Sequence, residues 1–181
     1  FVIIANHVTY YEFLIIFYLF KCGFLASNIG ETTAVFKKLR QAIPLLTFAR
    51  GDKTRNIVQE MSDFVDKHKR LCVFPEGIMT HPDTIGKFRT GAFYTGHPIY
   101  SVSIKHHDFL SDGNLNNFLT KMFSRSTIHC DVFVTGPYYP PFSKNDIENI
   151  RYEMAEKGDM LLSRMSNRDV NDTTQDNTID T

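Results

Sequence analysis

The sequence has few cysteines, no net charge and no hydrophobic run long enough to cross a bilayer. The three cysteines Cys22, Cys72 and Cys130 lie in apolar surroundings, which favours buried thiols in a reducing compartment over a disulfide framework. The formal net charge of zero gives no global argument for nucleic-acid binding, and we expect none. The apolar segment from Phe13 to Phe20 is far shorter than the roughly 20 residues that span a membrane.

The sequence also lacks the short motifs of several enzyme classes. No spacing typical of metal ligands relates His81, His97, His106, His107 and His129. No Cys-x-x-Cys occurs either, so we expect no metal site. Gly-x-Gly-x-x-Gly and the phosphate-binding P-loop are absent, which argues against dinucleotide and nucleoside-triphosphate binding. Gly-x-Ser-x-Gly is absent too, which argues against a serine hydrolase of that type.

The length and composition fit one domain with a tail. The chain has 181 residues, of which 43% are hydrophobic, and this is enough for one full core. We expect the domain over residues 1–165. Residues 166–181 are rich in Asn, Asp and Thr and almost without apolar side chains, which predicts a disordered tail. Because the sequence starts with Phe1 inside an apparent strand, we also expect that an N-terminal part is missing.

Alternating strand and helix signals predict an α/β fold. Short apolar runs with the composition of buried strands occur at 1–5, 43–48, 71–74, 99–104 and 128–135. Residues 54–70 carry their apolar side chains on a single stripe, which predicts a helix. The unit from residue 43 to residue 74 therefore reads as strand, helix, strand, with the two strands parallel and joined by a right-handed crossover.

Four further segments complete the prediction. Residues 33–39 have the pattern of a short helix. The apolar segment 13–20, which is followed by a break at Lys21 and Gly23, is either a core helix or a helix that dips into a membrane interface. Residues 81–86 and 108–127 read as irregular connections. A capping-box-like start at Ser143 predicts a last helix, expected to bury Ile147, Ile150, Met154, Leu161 and Met165.

Polar residues follow three of the predicted strands at the point where each strand ends. His7 follows the first strand, Arg50 the second, and Glu76 and Gly77 form a Pro-Glu-Gly turn after the third. Open α/β sheets bind their ligands at such strand ends. Glu12 lies close enough to His7 in sequence to bond one ring nitrogen, which would leave the other nitrogen free to take a proton. Arg50 lies in a basic neighbourhood, which suits a phosphate-bearing ligand.

In this order the motifs resemble the glycerolipid acyltransferase family, a part of the lysophospholipid acyltransferase superfamily typified by lysophosphatidic acid (1-acylglycerol-3-phosphate) acyltransferase. The family shows Asn-His-x-x-x-x-Asp, an arginine block, Phe-Pro-Glu-Gly-x-x-Ser/Thr and a Lys-x-Gly-Ala segment. The corresponding stretches here begin at Asn6, Phe48, Phe74 and Phe88. The resemblance covers roughly residues 1 to 140, and it implies a single α/β domain with a central, mixed, mostly parallel sheet flanked by helices.

The resemblance also implies a reaction and its residues. A fatty acyl group would move from acyl-CoA, a co-substrate, to the hydroxyl of lysophosphatidic acid or a related lysophospholipid or glycerophosphate. His7 would be the general base, Glu12 would orient it, and no cofactor would be needed. The acceptor and its phosphate would be bound by Arg50, Lys53, Glu76, Gly77, Thr80 and Lys87. The protein would act at a membrane surface, with its active site on the cytosolic side.

Two positions depart from the family pattern. Position 12 is Glu instead of Asp, and the extra methylene lengthens the side chain by roughly 1.3 Å. The family pattern also ends in a proline-containing strand, matched here by Pro98-Ile99-Tyr100-Ser101-Val102, and position 101 is Ser where the family tends to have a second proline. The Glu at position 12 leaves open a catalytically inactive lipid-binding membrane protein as one alternative to the acyl-CoA reaction. A CoA-independent phospholipid–lysophospholipid transacylase with the same base is the other alternative.

Overall fold

A computed structural model of the chain describes residues 1–27, 41–49, 54–108 and 115–164. The predicted segments 33–39 and 166–181 lie outside these residues. The helices are α1 (Glu12–Phe20), α2 (Ile57–His68), α3 (Leu115–Ser124) and α4 (Lys144–Gly158), with a 3-10 helix at Gly91–Tyr94. The strands are β1 (Val2–Ala5), β2 (Gly23–Ser27), β3 (Leu45–Phe48), β4 (Leu71–Val73), β5 (Thr84–Ile85), β6 (Ile99–His106), β7 (Cys130–Tyr138) and β8 (Leu161–Leu162).

Six strands form one central sheet in the order β3-β2-β4-β1-β6-β7. The first five run parallel, and β7 lies antiparallel to β6 at one edge. The two short strands β5 and β8 form a separate parallel pair. The predicted α/β fold with a mixed, mostly parallel sheet is therefore confirmed.

Helices cover both faces of the sheet. Ile3 and Ala5 of β1 belong to a cluster that also contains Ile16 of α1. Val2 and Ile4, which point to the other face, pack in a cluster with side chains of α2 and α4. All four residues of β1 are fully buried, because helices cover both faces of this parallel strand. This burial explains why the strand is apolar along its whole length. The strand β1 thus forms the centre of the core.

The strand β2 was not predicted, and it changes the expected strand pairing. The segments β3, α2 and β4 follow one another with parallel strands as expected, but β2 lies between β3 and β4 in the sheet. The glycine at position 23 had suggested a break. A Cβ atom there would lie 2.4 Å from the Phe64 ring and 2.8 Å from the Pro44 carbonyl oxygen, so only glycine permits this close packing.

Three other predictions were wrong in part. The connection 108–127 contains α3, whose Phe118 is buried against Tyr11. The expected loop 81–86 contains β5, which pairs with β8. The last helix starts with the expected capping box at Ser143 but ends at Gly158, where Asp159 adopts a left-handed conformation. Leu161 therefore lies on β8 with 73% of its surface exposed, and Met165 lies outside the described residues.

Candidate active site

The carboxyl end of β1 is extended by the side chain of Asn6. Its Nδ2 donates to the carbonyl oxygen of Ile104 at 2.9 Å, and its Oδ1 accepts from the amide of the same residue at 2.8 Å. Asn6 is fully buried, so these bonds satisfy its amide. They continue the β1–β6 pairing one residue beyond the last backbone pair, Ala5 with Val102. The next residue, His7, therefore leaves the sheet from a fixed position.

His7 and Glu12 form a hydrogen-bonded pair at this point. The Nδ1 atom of His7 lies 2.7 Å from Oε2 of Glu12, the first residue of α1. The amide of Val8 donates to both carboxylate oxygens, and the amide of Thr9 donates to Oε1, all at 2.8 Å. The loop between β1 and α1 thus wraps around the carboxylate, which is fully buried.

A second histidine, which the sequence did not suggest, contacts the same carboxylate. Nε2 of His106, the last residue of β6, lies 2.9 Å from Oε1 of Glu12. The hydroxyl of Tyr11 lies 2.6 Å from Nδ1 of His106. Burial alone would raise the pKa of Glu12, but hydrogen bonds from His106 and His7 outweigh it and hold this pKa below its ordinary value. Burial, together with the nearby Glu12 charge, raises the pKa of Tyr11 well above its ordinary range.

The Pro-Glu-Gly turn after β4 binds the backbone of His7. Oε1 of Glu76 accepts from the amide of His7 at 3.0 Å. Its Oε2 accepts from the amide of Gly86 at 2.6 Å and from the hydroxyl of Thr80 at 3.0 Å. Burial raises the pKa of Glu76 to about 6, against the opposing effect of these donors. Gly77, with a φ of 72°, lets the chain turn at this point.

The imidazole of His7 is accessible on one side. Its ring stacks on Phe74 with 4.3 Å between ring centres, and 25% of the side chain is exposed. Among the residues that the structure describes, no hydrogen bond to Nε2 of His7 is found. The amide of Thr80 donates to the carbonyl oxygen of His7 at 2.7 Å, which fixes the backbone of His7. The arrangement can accept a proton at Nε2 from a bound hydroxyl.

The structure brings some of the predicted site residues together, while the positions of others lie outside the described part of the chain. His7, Glu12, Glu76 and Thr80 form one hydrogen-bonded group that also includes Gly77 in its turn. Lys87 is exposed and directly follows Gly86, which binds Glu76. Arg50 and Lys53 lie outside the described residues. The catalytic and binding roles of all these residues stay predictions.

The described part of the chain offers neither a metal-ion site nor a membrane-spanning helix. No group of three or more His, Cys, Asp or Glu side chains there is arranged to hold a metal ion. No helix there is long and apolar enough to cross a membrane. A cavity of about 330 Å³ lies between β7 and α4, lined by Tyr138, Phe142 and Glu153 among others. None of the residues around His7 lines that cavity, so it is not part of this group.

Comparison with known proteins places these residues in a family context. Residues 1–105 match the family model described as acyltransferase. The lysophospholipid acyltransferase LPEAT2 of Arabidopsis thaliana is 30% identical over 133 residues, which are 70% of this chain and 24% of that protein. The lysophospholipid acyltransferase LPEAT1 of the same plant is 25% identical over 185 residues, or 90% of this chain and 46% of that protein. The chain thus spans about a quarter to a half of the length of these curated relatives.

A solved structure shares the fold. The 1-acyl-sn-glycerophosphate acyltransferase PlsC of Thermotoga maritima superposes with a TM-score of 0.62 and is 18% identical in sequence. The match covers 88% of this chain and 63% of that one. At this level of identity the likeness concerns the fold.

Proposed function

The chain belongs to the acyltransferase family, and from this premise we propose that it moves a fatty acyl group from acyl-CoA to the hydroxyl of a lysophospholipid or related glycerophosphate. The names of the two plant relatives support an acceptor of this class. The protein then works in lipid metabolism, in the synthesis of phospholipids. Acyl-CoA is a co-substrate in this proposal, and no metal or redox cofactor takes part.

The pair His7–Glu12 is the observation that carries this proposal. A hydroxyl is a poor nucleophile near neutral pH, so it needs a base at the moment of attack. Nε2 of His7 takes the hydroxyl proton while the oxygen attacks the thioester carbonyl carbon. The tetrahedral intermediate collapses, the carbon–sulfur bond breaks, and the leaving thiolate takes the proton back from His7. Glu12 holds the ring through Nδ1 at 2.7 Å and stabilises the imidazolium between the two proton transfers.

The Pro-Glu-Gly turn supports an acceptor site beside His7. Glu76 and Thr80 tie this turn to the backbone of His7, so the turn and the base keep one relative position. Because the amides of Gly77 and Thr80 bind the carbonyls of Phe74 and His7, we assign the oxyanion to the amides of residues 78 and 79 between them. We assign the acceptor phosphate to Arg50, with Lys53 and Lys87 as further cations.

We place the reaction at a membrane surface, with the active site on the cytosolic side. A lysophospholipid is held in a membrane by its acyl chain, so the enzyme must work where that chain is anchored. The helix α1 supports a membrane surface, because it begins at Glu12 and exposes Leu14, Tyr18 and Leu19. These apolar side chains lie within three turns of the proposed base partner.

An acceptor screen tests the proposal. The full-length protein is incubated with labelled oleoyl-CoA and a panel of lysophospholipids and glycerol 3-phosphate, and labelled phospholipid is counted. We expect acylation of at least one acceptor, and we expect His7→Ala to lower kcat by about 100-fold to 10,000-fold, the usual contribution of a general base. His97→Ala is the matched control, because His97 contacts Ser62 and Asp66 of α2, away from the site. No acylation of any acceptor, together with an unchanged His7→Ala variant, would overturn the proposal.

The Glu at position 12 motivates one alternative, a catalytically inactive lipid-binding protein. Such a protein binds the same acceptors without turnover, and Glu12→Asp would then raise activity from undetectable to measurable. Exchange of acyl chains between labelled lipids in the absence of CoA would instead indicate the transacylase. The wild-type protein serves the two transfer assays, and Glu12→Asp is prepared beside it to test the inactive alternative.

A further inference from the structure

Glu12 binds two histidines, one through each carboxylate oxygen. Oε2 lies 2.7 Å from Nδ1 of His7, and Oε1 lies 2.9 Å from Nε2 of His106. The side chains of Glu12 and His106 are both fully buried, so water does not compete for this contact. His7 follows the end of β1, and His106 ends the neighbouring strand β6. This bridge of His7, Glu12 and His106 therefore depends on the pairing of two strands in the centre of the sheet.

The Glu12 carboxylate and the hydroxyl of Tyr11 together determine which nitrogen of His106 carries the proton. An ionised carboxylate only accepts hydrogen bonds, so Nε2 of His106 must donate to Glu12. In a neutral imidazole the other nitrogen, Nδ1, then accepts, and the hydroxyl of Tyr11 at 2.6 Å is its donor. The direction of the hydrogen bonds is thus set from Tyr11 through His106 to Glu12.

We propose that His106 is a positioning residue for the acyl transfer. The imidazole of His106 keeps one oxygen of Glu12 occupied, so that the other oxygen stays on His7. The hydroxyl of Tyr11 fixes His106 in the tautomer that this requires. The inference rests on the function proposed above. It also gives a reason for Glu at position 12. A shorter aspartate, with its arm reduced by about 1.3 Å, cannot reach both imidazoles from the same backbone position without movement of the loop.

Few other groups near this bridge change charge near neutral pH. The titratable neighbours of Glu12 are His7, His106, Tyr11 and the thiols of Cys72 and Cys130. Burial raises the pKa of Tyr11 and of both thiols, so these three groups stay neutral. Asp108, which lies near Tyr11, has a lowered pKa and stays ionised.

Glu76 is the remaining group that must be controlled in any pH experiment. It accepts a hydrogen bond from the amide of His7, and its pKa is about 6. Its titration therefore falls in the range in which the activity of a histidine base also changes. The variant Glu76→Gln serves as the reference for this contribution.

The test compares three variants of the full-length enzyme with a neutral control. His106→Met removes the donor to Glu12 but keeps an apolar side chain of similar length. His106→Gln places an amide N–H near the position of the lost Nε2. Tyr11→Phe removes a single hydroxyl. His97→Ala, outside the site, is the control, and thermal unfolding of each variant shows whether it is folded.

We expect His106→Met to lower kcat by about 10-fold or more while KM for the acceptor changes little, because the base is still present but less well held. His106→Gln should recover part of the loss, and Tyr11→Phe should give a smaller decrease. The acid limb of the pH profile of kcat/KM should move to higher pH in His106→Met. Without His106, Glu12 carries its full negative charge toward His7, and the pair binds a proton more tightly.

A merely structural His106 would give a different result. Its replacement would lower stability, but the folded fraction would keep the pH profile of the wild-type protein. A folded His106→Met enzyme with kcat within about 2-fold of wild type and an unshifted profile would overturn the proposal.

The bridge can also be tested if no acyl transfer is found. In that case the proposed function fails, and nitrogen-15 NMR of the histidine side chains still reports the bridge. We expect the Nε2–H tautomer for His106, the Nδ1–H tautomer for His7, and a changed titration of His7 in His106→Met. An unchanged titration of His7 would overturn the inference independently of any activity.

Discussion

At the scale of single residues, Glu12 uses every acceptor position of its carboxylate. It binds two imidazoles and the amides of Val8 and Thr9 while fully buried. A buried charge is costly unless such donors surround it, and charge-assisted hydrogen bonds are the strongest that a protein can supply. The carboxylate is therefore held both ionised and fixed in orientation. Those are the two properties that a partner of a general base needs.

The bridged carboxylate leads to a prediction for Glu12→Asp. Because aspartate cannot span both imidazoles, we expect kcat to fall by about 10-fold or more. Glu12→Gln should lose more, since the amide nitrogen replaces one acceptor with a donor that faces an imidazole N–H. Steady-state rates with labelled oleoyl-CoA and the best acceptor give the comparison. An increase of activity in Glu12→Asp would contradict the bridge and favour the inactive lipid-binding protein.

The sequence predicted part of this residue-level arrangement. His7 and Glu12 are five residues apart at the end of one strand, so their proximity followed from a short motif. His106 lies 94 residues from Glu12, at the end of β6 and at the border of a connection expected to be irregular. Only the register of β1 against β6 places it beside Glu12. The sequence alone does not give this register, so nothing distinguished His106 from the other histidines that lack metal-ligand spacing.

At the scale of elements, α1 carries several apolar side chains on its exposed surface. Ile16 and Glu12 face the interior, whereas Leu14 is 45% exposed and Tyr18 is 75% exposed. The cation of Lys21 lies 4.9 Å from the ring centre of Tyr18. The outer face is thus apolar with one cation at its end, a combination typical of helices that bind anionic lipid interfaces.

This face gives a prediction for membrane binding. The double variant Leu14→Gln and Tyr18→Gln should lose most of its co-sedimentation with vesicles of phosphatidylcholine and an anionic phospholipid, because it removes apolar surface that would enter the lipid. Tyr152→Gln is the matched control, since Tyr152 is 58% exposed on α4. The helix α4 covers the opposite face of the sheet. Equal binding of both variants would show that α1 does not enter the interface.

The helices and strands were predictable where one residue pattern dominates. The stripe of α2 and the capping box of α4 are local signals, and the structure contains both helices. The strand β2 was missed because Gly23, which its packing against Phe64 requires, looked like a break. The helix α3 was missed because the polar residues before it dominate the segment, while its burial depends on Tyr11 in a distant part of the chain.

At the scale of the whole molecule, hydrogen bonds beyond the strand ends join three segments of the sheet. Asn6 links the end of β1 to β6, and Glu76 links the turn after β4 to His7. His106 then connects β6 back to α1 through Glu12. The site is therefore coupled to the order of the central strands, and loss of one link should disturb residues that are distant in sequence.

The buried Glu76 allows the coupling between this site and global stability to be measured. Its pKa is about 6 in the folded protein, above the ordinary value of 4.5. Between these two values the folded state binds more protons than the unfolded state, so this group makes the fold more stable as the pH falls through that range. The sign is opposite to that of Glu12, whose lowered pKa contributes stability that is lost as the pH falls.

We therefore expect the free energy of unfolding of the wild-type protein to gain about 1 kcal/mol relative to Glu76→Gln when the pH is lowered from about 7.5 to about 5. Urea unfolding of both proteins at the two pH values gives this difference. Glu12 and the other titrating groups are common to both proteins and cancel in the comparison. If the two proteins show the same pH dependence, Glu76 has an ordinary pKa in the folded state. Its carboxylate would then be held ionised by the amides of His7 and Gly86 despite its burial.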